Sequence, residues 1–319
     1  MNLDSLLRRN SINNTGLDTT SGNSSGRNFN KDGSSNVQRS GLGYFSSISL
    51  FHTLINMKFS HFVLMAFATF IGVNFIFAAL YFALGAEQIT GISGTTPIEK
   101  FLSCFFFSAQ TITTVGYGQM HPNTITANAL STFEAVFGWM AFAVLTGLIY
   151  GRFSKPRAYL MFSECALISP YKNGKALMFR MAPYKNNNLT EVEVMLNLAI
   201  RLEENGMLVN KFLPLQVELP KITALALNWT VVHAINEESP FYNMSENEFA
   251  EKSVEVLIFV KAFDEHFSNI VKQRTSYVAG DIIHGAKFDL MFKQSDNKKS
   301  TLLELDKISD YHKVELPVS

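Results

Sequence analysis

The chain has 319 residues, a formal net charge of zero and 17% charged residues, below the ~25% of ordinary soluble domains. That balance excludes a nucleic-acid binder, which carries a basic excess. Two cysteines, Cys104 and Cys165, exclude a disulfide-stapled secreted scaffold. The averages hide a partition. Between Phe59 and Gly151 the only charges are Glu87, Glu99, Lys100 and Glu134, and this stretch holds 14 of the 28 Phe. One part of the chain is solvated by lipid and the rest by water.

Residues 1–43 are the first segment in chain order. Half of residues 1–40 are Ser, Asn or Gly, too polar to offset ordering entropy, so a disordered tail is expected. Arg8 and Arg9 are not followed by the apolar run of a signal peptide. Residues 44–157 read as a membrane unit. From Ser46 to Lys58, the residues Ile48, Phe51, Leu54, Ile55 and Met57 share one helical face. Such a helix beside a span lies in the membrane interface; extra turns of the span itself are the other reading. Phe59–Ala86 has no Asp, Glu, Lys or Arg and exceeds the ~20 residues that cross the hydrocarbon core.

Thr96-Pro97-Ile98-Glu99 is a capping box with Pro at the first helical position. The helix it starts runs to about Ile112. At ~1.5 Å per residue that is too short to cross, which predicts a re-entrant half-helix. Asn123–Gly151 is the second span, interrupted in charge only by Glu134. Lys58, Arg152, Lys155 and Arg157 flank the spans on one side, and the intervening loops carry Lys100 alone. The positive-inside rule therefore predicts a multi-pass protein of the inner cell membrane with both termini cytoplasmic.

From Tyr159 onward the period becomes two. Val192, Val194, Leu196, Leu198 and Ile200 alternate with Glu191, Glu193, Asn197 and Ala199. Further β-rich runs are Lys175–Ala182, Thr223–Ile235, Val254–Phe263 and Ala286–Phe292. Asn173-Gly174, Asn205-Gly206, Ser239-Pro240 and Ala279-Gly280 mark turns between strands. A β-sandwich over 158–319 is expected.

Thr113-Thr114-Val115-Gly116-Tyr117-Gly118 lies between the half-helix and the second span. A dehydrated cation needs a ring of oxygens. Carbonyls of Thr114 to Tyr117 supply them if successive peptides point one way, which Gly116 and Gly118 permit. The Thr114 hydroxyl adds the innermost oxygen, and the negative end of the half-helix favours a cation nearby. This is the filter sequence of potassium channels, which assigns Thr114, Val115, Gly116, Tyr117 and Gly118 to potassium. One chain supplies one strand of the ring, so four are needed.

Together with TTVGYGQMHP at Thr113–Pro122, the stretches GLIYGRFSKPR (Gly147–Arg157), LMFR (Leu177–Arg180), WTVVHAINEESPFY (Trp229–Tyr242) and RTSYVAGDIIHGAKF (Arg274–Phe288) carry a resemblance. The chain resembles the inward-rectifier potassium channel family in its bacterial, KirBac-like branch, over roughly residues 44–305. The resemblance implies a homotetramer: a membrane α unit of two spans and a pore helix, with an immunoglobulin-like all-β cytoplasmic sandwich that extends the pore. It implies gating through that domain and anionic lipid, and block by magnesium, polyamine or barium.

Gly138, Phe142, Thr146 and Tyr150 are four apart and share a drifting face that lines the pore. By resemblance Gly138 falls where the inner helix bends and Tyr150 at a hydrophobic constriction that closes by dewetting; an interfacial Tyr is the other reading. Phe142 stands where strong rectifiers place an acid, which implies weak rectification. Glu191 matches a vestibule position, and Lys261 replaces a second vestibule acid; a solvated strand face accounts for Glu191 equally simply. Glu134 is assigned behind the filter, bonded to the half-helix. Lys58, Arg152, Lys155 and Arg157 form a collar for anionic headgroups, or serve topology alone. Gly147 and Gly151 form a helix-packing GxxxG.

His121, His233 and His284 are too scattered to hold a metal, so potassium is the only metal ion expected. No nucleophile, metal-ligand or phosphate-loop constellation is present, so neither an enzyme nor a cofactor beyond the permeant potassium is expected. The alternative is a membrane-anchored β-sandwich interaction module with a non-conducting pore.

Overall fold

The computed structural model describes residues 27–37, 41, 49–204, 207–295 and 299–317. The chain forms two compact units, Ser40–Lys155 and Met1–Arg39 with Pro156–Ser319.

In the first unit, helix α1 (Leu50–Asn56) is capped by Ser49, whose side chain accepts the His52 amide. Residues 42–48, where the amphipathic helix was expected to begin, lie outside the described residues. Helix α2 (Phe59–Leu84) stops where Gly85 turns to φ 113°. A two-residue strand β1 (Ile89–Thr90) follows. Helix α3 (Pro97–Ile112) begins with both reciprocal bonds of the capping box, Thr96 to the Glu99 amide and Glu99 back to Thr96. Strand β2 (His121–Pro122) pairs with β1, and helix α4 (Ile125–Phe153) starts at a Thr124 cap. Helices α2 and α4 are long and apolar enough to cross a membrane.

Aromatic rings join α2 to α3. Phe75 meets Phe105 and Phe101 at 5.1 and 5.9 Å, Phe82 meets Phe101 at 6.0 Å, and Tyr81 meets Phe107 at 5.0 Å. Much of the Phe excess therefore sits between helices. Burying such rings contributes more than area alone, by about 0.5–1.5 kcal/mol per pair.

The second unit contains β3 (Leu160–Phe162), β4 (Ala166–Tyr171), β5 (Gly174–Pro183), β6 (Leu189–Glu204), β7 (Met207–Leu215), β8 (Lys221–Leu225) and β9 (Trp229–Ile235). Helix α5 (Glu246–Glu251), β10 (Glu255–Asp264), β11 (Asn269–Val278) and β12 (Ile282–His284) follow. Strands β11-β10-β6-β7, with β8 also on β6, make one sheet; β12-β4-β5-β3, with β9 on β5, make the other. Two-stranded pairs β13 (Ala286–Phe288) with β16 (Tyr311–Lys313) and β14 (Phe292–Gln294) with β15 (Thr301–Leu303) complete the unit.

Val192, Val194, Leu196, Leu198 and Ile200 all enter the core between the sheets. The expected turn at Asn205-Gly206 lies outside the described residues. Two strand expectations need correction. Thr223–Ile235 is not one strand: β8 pairs with β6 and β9 with β5, so the chain crosses between sheets after Leu225. Ala286–Phe292 likewise divides, because β13 and β14 pair with different partners.

His233 is a satisfied core residue. Its Nδ1 donates to the Gln216 carbonyl at 2.7 Å and its Nε2 accepts from Ser239 at 2.8 Å. Burial holds its imidazole below the ordinary value.

The disordered-tail expectation also needs correction over residues 27–37; residues 1–26, 38–40 and 42–43 lie outside the described residues. The described strap lies on the outer face of the β6–β7–β10–β11 sheet. Phe29 is 4% exposed and packs on Ala199, Phe212 and Leu257, with Arg274 4.4 Å above its ring. The Glu255 carboxylate accepts the Asn28 amide (2.9 Å), the Asn28 side chain (2.7 Å) and the Phe29 amide (3.4 Å). Arg27 and Lys31 pair with Asp281. Composition misled because the apolar surface that Phe29 covers belongs to the sheet.

Charge-assisted bonds of this kind contribute about 1.5–3 kcal/mol each. Glu255→Ala in the full-length chain should therefore speed amide hydrogen exchange across residues 28–36 by about tenfold or more, equivalent to ~1.4 kcal/mol. Unchanged protection would show that the Phe29 packing and the Asp281 pairs hold the strap without Glu255.

Candidate functional site

The segment after α3 is tied to the helix end. The Thr113 amide donates to Ala109 at 3.3 Å, the Thr114 amide to Thr111 at 3.0 Å and the Val115 amide to Gln110 at 3.1 Å. These bonds occupy carbonyls that a helix terminus leaves without partners. Gly116 and Gly118 have φ 52° and 82°, and Thr114 itself has φ 60°. The Thr114 angle is not legible in the sequence, since a β-branched residue rarely adopts it. It stores backbone strain on the order of 1–3 kcal/mol.

The far end of the segment is pinned by β1 and β2. Ile89 pairs with Pro122 and Thr90 with His121. The Asn123 side chain donates to the Glu87 carbonyl at 3.1 Å, and Gln88 Oε1 accepts the Thr124 and Thr126 hydroxyls at 2.6 and 2.8 Å. Gly91 has φ 85°, and a Cβ there would stand 2.2 Å from the Gln119 carbonyl oxygen. Five residues held at both ends by backbone contacts thus lie on the surface of the chain, with Tyr117 78% and Val115 53% exposed.

On α4, Phe142 and Tyr150 are 70% and 73% exposed, and Thr146 is exposed with its hydroxyl bonded back to the Phe142 carbonyl at 2.8 Å. Gly138 departs from this face. It is buried, and a Cβ there would lie 2.4 Å from the Ile112 carbonyl oxygen. The missing side chain lets the end of α3 rest on α4, so its place is a close backbone approach and not a lining position. Glu134 is fully buried, and its carboxylate takes the Tyr81 hydroxyl at 2.6 Å and the Ser108 hydroxyl at 2.5 Å.

The basic residues divide. Arg152 donates to the Leu54 and Met57 carbonyls at 2.5 and 2.6 Å and stacks 4.7 Å from the Phe62 ring. It satisfies the open end of α1, as cations do at helix C-termini. Lys155 reaches Asn56 Oδ1 at 2.5 Å. Lys58, Lys155 and Arg157 are exposed. Gly151 also packs on α1, its Cβ position 3.1 Å from Ile55, while nothing lies within 4 Å of that of Gly147. Within the chain, Gly151 of this pair therefore serves α1.

In the second unit Glu191 has φ 49° at a β-bulge, where the register shifts between Lys261 and Phe263. An extra residue there re-aims the side chain, so Glu191 and Glu193 do not share a regular strand face. Lys221 lies 3.6 Å from Glu191 and 3.3 Å from Glu193, and Lys261 lies 3.4 Å from Glu193. Lys221 first, then Lys261, hold the Glu193 carboxyl below its usual range. Two acids and two lysines leave this group without net charge.

Gly138→Ala should be poorly tolerated, because overpacking costs about 1–3 kcal/mol and the neighbour is backbone. The expected result is a lowered melting temperature of the purified full-length protein. Wild-type melting would show that α3 can move away from α4.

The family model of the inward rectifier potassium channel transmembrane domain matches residues 29–156, and that of the inward rectifier potassium channel C-terminal domain matches residues 160–319. The inward rectifier potassium channel Kirbac3.1 of Paramagnetospirillum magnetotacticum is 31% identical over 287 residues, covering 88% of this chain and 94% of its own. The G protein-activated inward rectifier potassium channel 1 of Homo sapiens is 27% identical over 285 residues, covering 81% of this chain and 56% of its own. Among solved structures, the sporulation control protein Spo0M of Bacillus subtilis aligns over 44% of this chain and 61% of its own at TM-score 0.24, too low to bear on fold or function.

Proposed function

The chain belongs to the inward rectifier potassium channel family, and from that premise we propose that four copies surround one ion path lined at its narrowest by Thr114, Val115, Gly116, Tyr117 and Gly118. The protein is an inward rectifier potassium channel of the bacterial type, a membrane protein and not an enzyme. The observation that carries the selectivity assignment is the segment after α3, pinned at both ends and yet exposed, with Tyr117 78% accessible in the single chain. Copies of the same segment are its fitting occupants. Four strands would face their carbonyls to a common axis and replace the hydration shell of a potassium ion.

Exposure of Phe142, Thr146 and Tyr150 supports a cavity lined by these residues, with Tyr150 as the ring that closes it. Weak rectification is supported by the apolar Phe142 and by the balanced group of Glu191, Glu193, Lys221 and Lys261, which attracts magnesium or polyamine less than bare acids. Lys58, Lys155 and Arg157 remain for anionic lipid headgroups, each basic residue near the surface contributing about 1 kcal/mol. Their side of the spans supports cytoplasmic termini at an inner membrane, with gating through the cytoplasmic domain and these lipids.

The test is rubidium uptake by liposomes holding the purified full-length protein, with and without added phosphoinositide. External potassium should compete, sodium should not, and barium should stop uptake; equal competition by sodium would refute potassium selectivity. In the same vesicles Tyr150→Ala should raise uptake. Phe142→Asp should tighten internal magnesium block by about tenfold, or ~1.4 kcal/mol. No change in either variant would remove that residue from the ion path.

A further inference from the structure

Four polar side chains close on one another inside the membrane unit: Asn74 and Tyr81 of α2, Ser108 of α3 and Glu134 of α4, each at most 1% exposed. The Tyr81 hydroxyl lies 2.6 Å from Glu134 Oε2. The Ser108 hydroxyl lies 2.5 Å from Glu134 Oε1 and 2.9 Å from Asn74 Oδ1. The Asn74 amide nitrogen donates outward, to the Phe70 carbonyl at 2.8 Å.

The protons can be counted. Three oxygens need a donor: the two of Glu134 and the one of Asn74. Tyr81 and Ser108 each bring one proton. With Glu134 ionised, the Ser108 proton cannot serve both of its neighbours, and one buried acceptor is left without a donor. The charge would also stand without a counter-ion. Among the described residues no Lys, Arg or His pairs with it; its titratable partner is Tyr81, which packs in one apolar cluster with the Cys104 thiol. One more proton removes both difficulties. Placed on Oε1, it donates to Ser108 Oγ, Ser108 donates to Asn74, and Tyr81 donates to Oε2. Every group is then paired, and no charge is buried among apolar helices, where it is costly.

We propose that Glu134 is a protonated positioning residue, whose carboxylic acid fixes the rotation of α3 and through it the potassium preference of the filter. The link to the filter is short. Ala109 and Gln110, directly after Ser108, supply the carbonyls that take the Thr113 and Val115 amides. Turning α3 displaces those carbonyls and the peptides bonded to them. Ionisation would draw the Ser108 proton to Oε1 and release Asn74, loosening α2 from α3. The inference rests on the potassium-channel reading above.

Glu134→Gln tests it directly, since a Gln amide donates to Ser108 and its carbonyl accepts from Tyr81. Infrared spectra of the full-length protein in lipid at neutral pH should show a protonated-carboxyl stretch in the wild type that Glu134→Gln removes. In the rubidium-uptake assay, Glu134→Gln should keep the potassium-over-sodium preference within about twofold, while Glu134→Ala should lower it by about fivefold or more, as expected when buried partners are stranded. Absence of the infrared band overturns the assignment, as does a Glu134→Gln protein that loses selectivity together with Glu134→Ala. Loss of selectivity in the wild type would instead strike the potassium-channel reading.

Discussion

A helix that ends inside the first unit leaves carbonyls without partners, and the structure around the Thr113–Gly118 segment answers that constraint. The end of α3 is met by the amides of Thr113, Thr114 and Val115, which turns the chain at once into the segment that the resemblance assigns to potassium. The Ile112 carbonyl can approach α4 only because Gly138 has no side chain. Phe rings from α2 and the hydroxyl of Ser108 hold the other faces of the same helix. The strain at Thr114 persists because both ends of the segment are held.

A second constraint acts at the far end of α4. The short helix α1 has open carbonyls of its own, and Arg152 fills them while its guanidinium stacks on Phe62. A residue placed by sign for topology is thereby also a structural tie between α1 and α4. Lys58, Lys155 and Arg157 do not fill these carbonyls and are exposed. The same economy of charge appears in the sandwich, where Lys221 and Lys261 balance Glu191 and Glu193, and in the strap, where Asp281 answers Arg27 and Lys31.

Local rules read well wherever a pattern was complete within one segment. The half-helix was legible from Thr96, Pro97 and Glu99 because a capping box is satisfied within four residues. The spans were legible because charge is excluded from lipid, and the β6 alternation because a strand has a strict period. Reading failed where the partner lay elsewhere in the chain. Phe29 looked like an isolated apolar residue in a polar tail, and its sheet face is more than 150 residues away in sequence. The break after Leu225 depends on which sheet each half joins. The Glu191 bulge arises from a register shift against β10.

By itself the sequence determined the two apolar helices long enough to span, the capped helix between them and the β nature of the remainder, since each follows from lipid solvation, capping or strand period acting over a few neighbouring residues. Only the tertiary structure decided that Arg152 caps α1, that Gly138 is a backbone contact, that residues 27–37 fold onto the sandwich, and that Glu134 meets Tyr81, Ser108 and Asn74. The physical reason is common to all four. Hydrogen-bond and packing partners distant in sequence become neighbours only on folding, and a buried polar group has a defined role only once every donor and acceptor around it is known. Formal neutrality is part of the same lesson: the charges cancel over the chain, while their work is done in pairs that the composition cannot show.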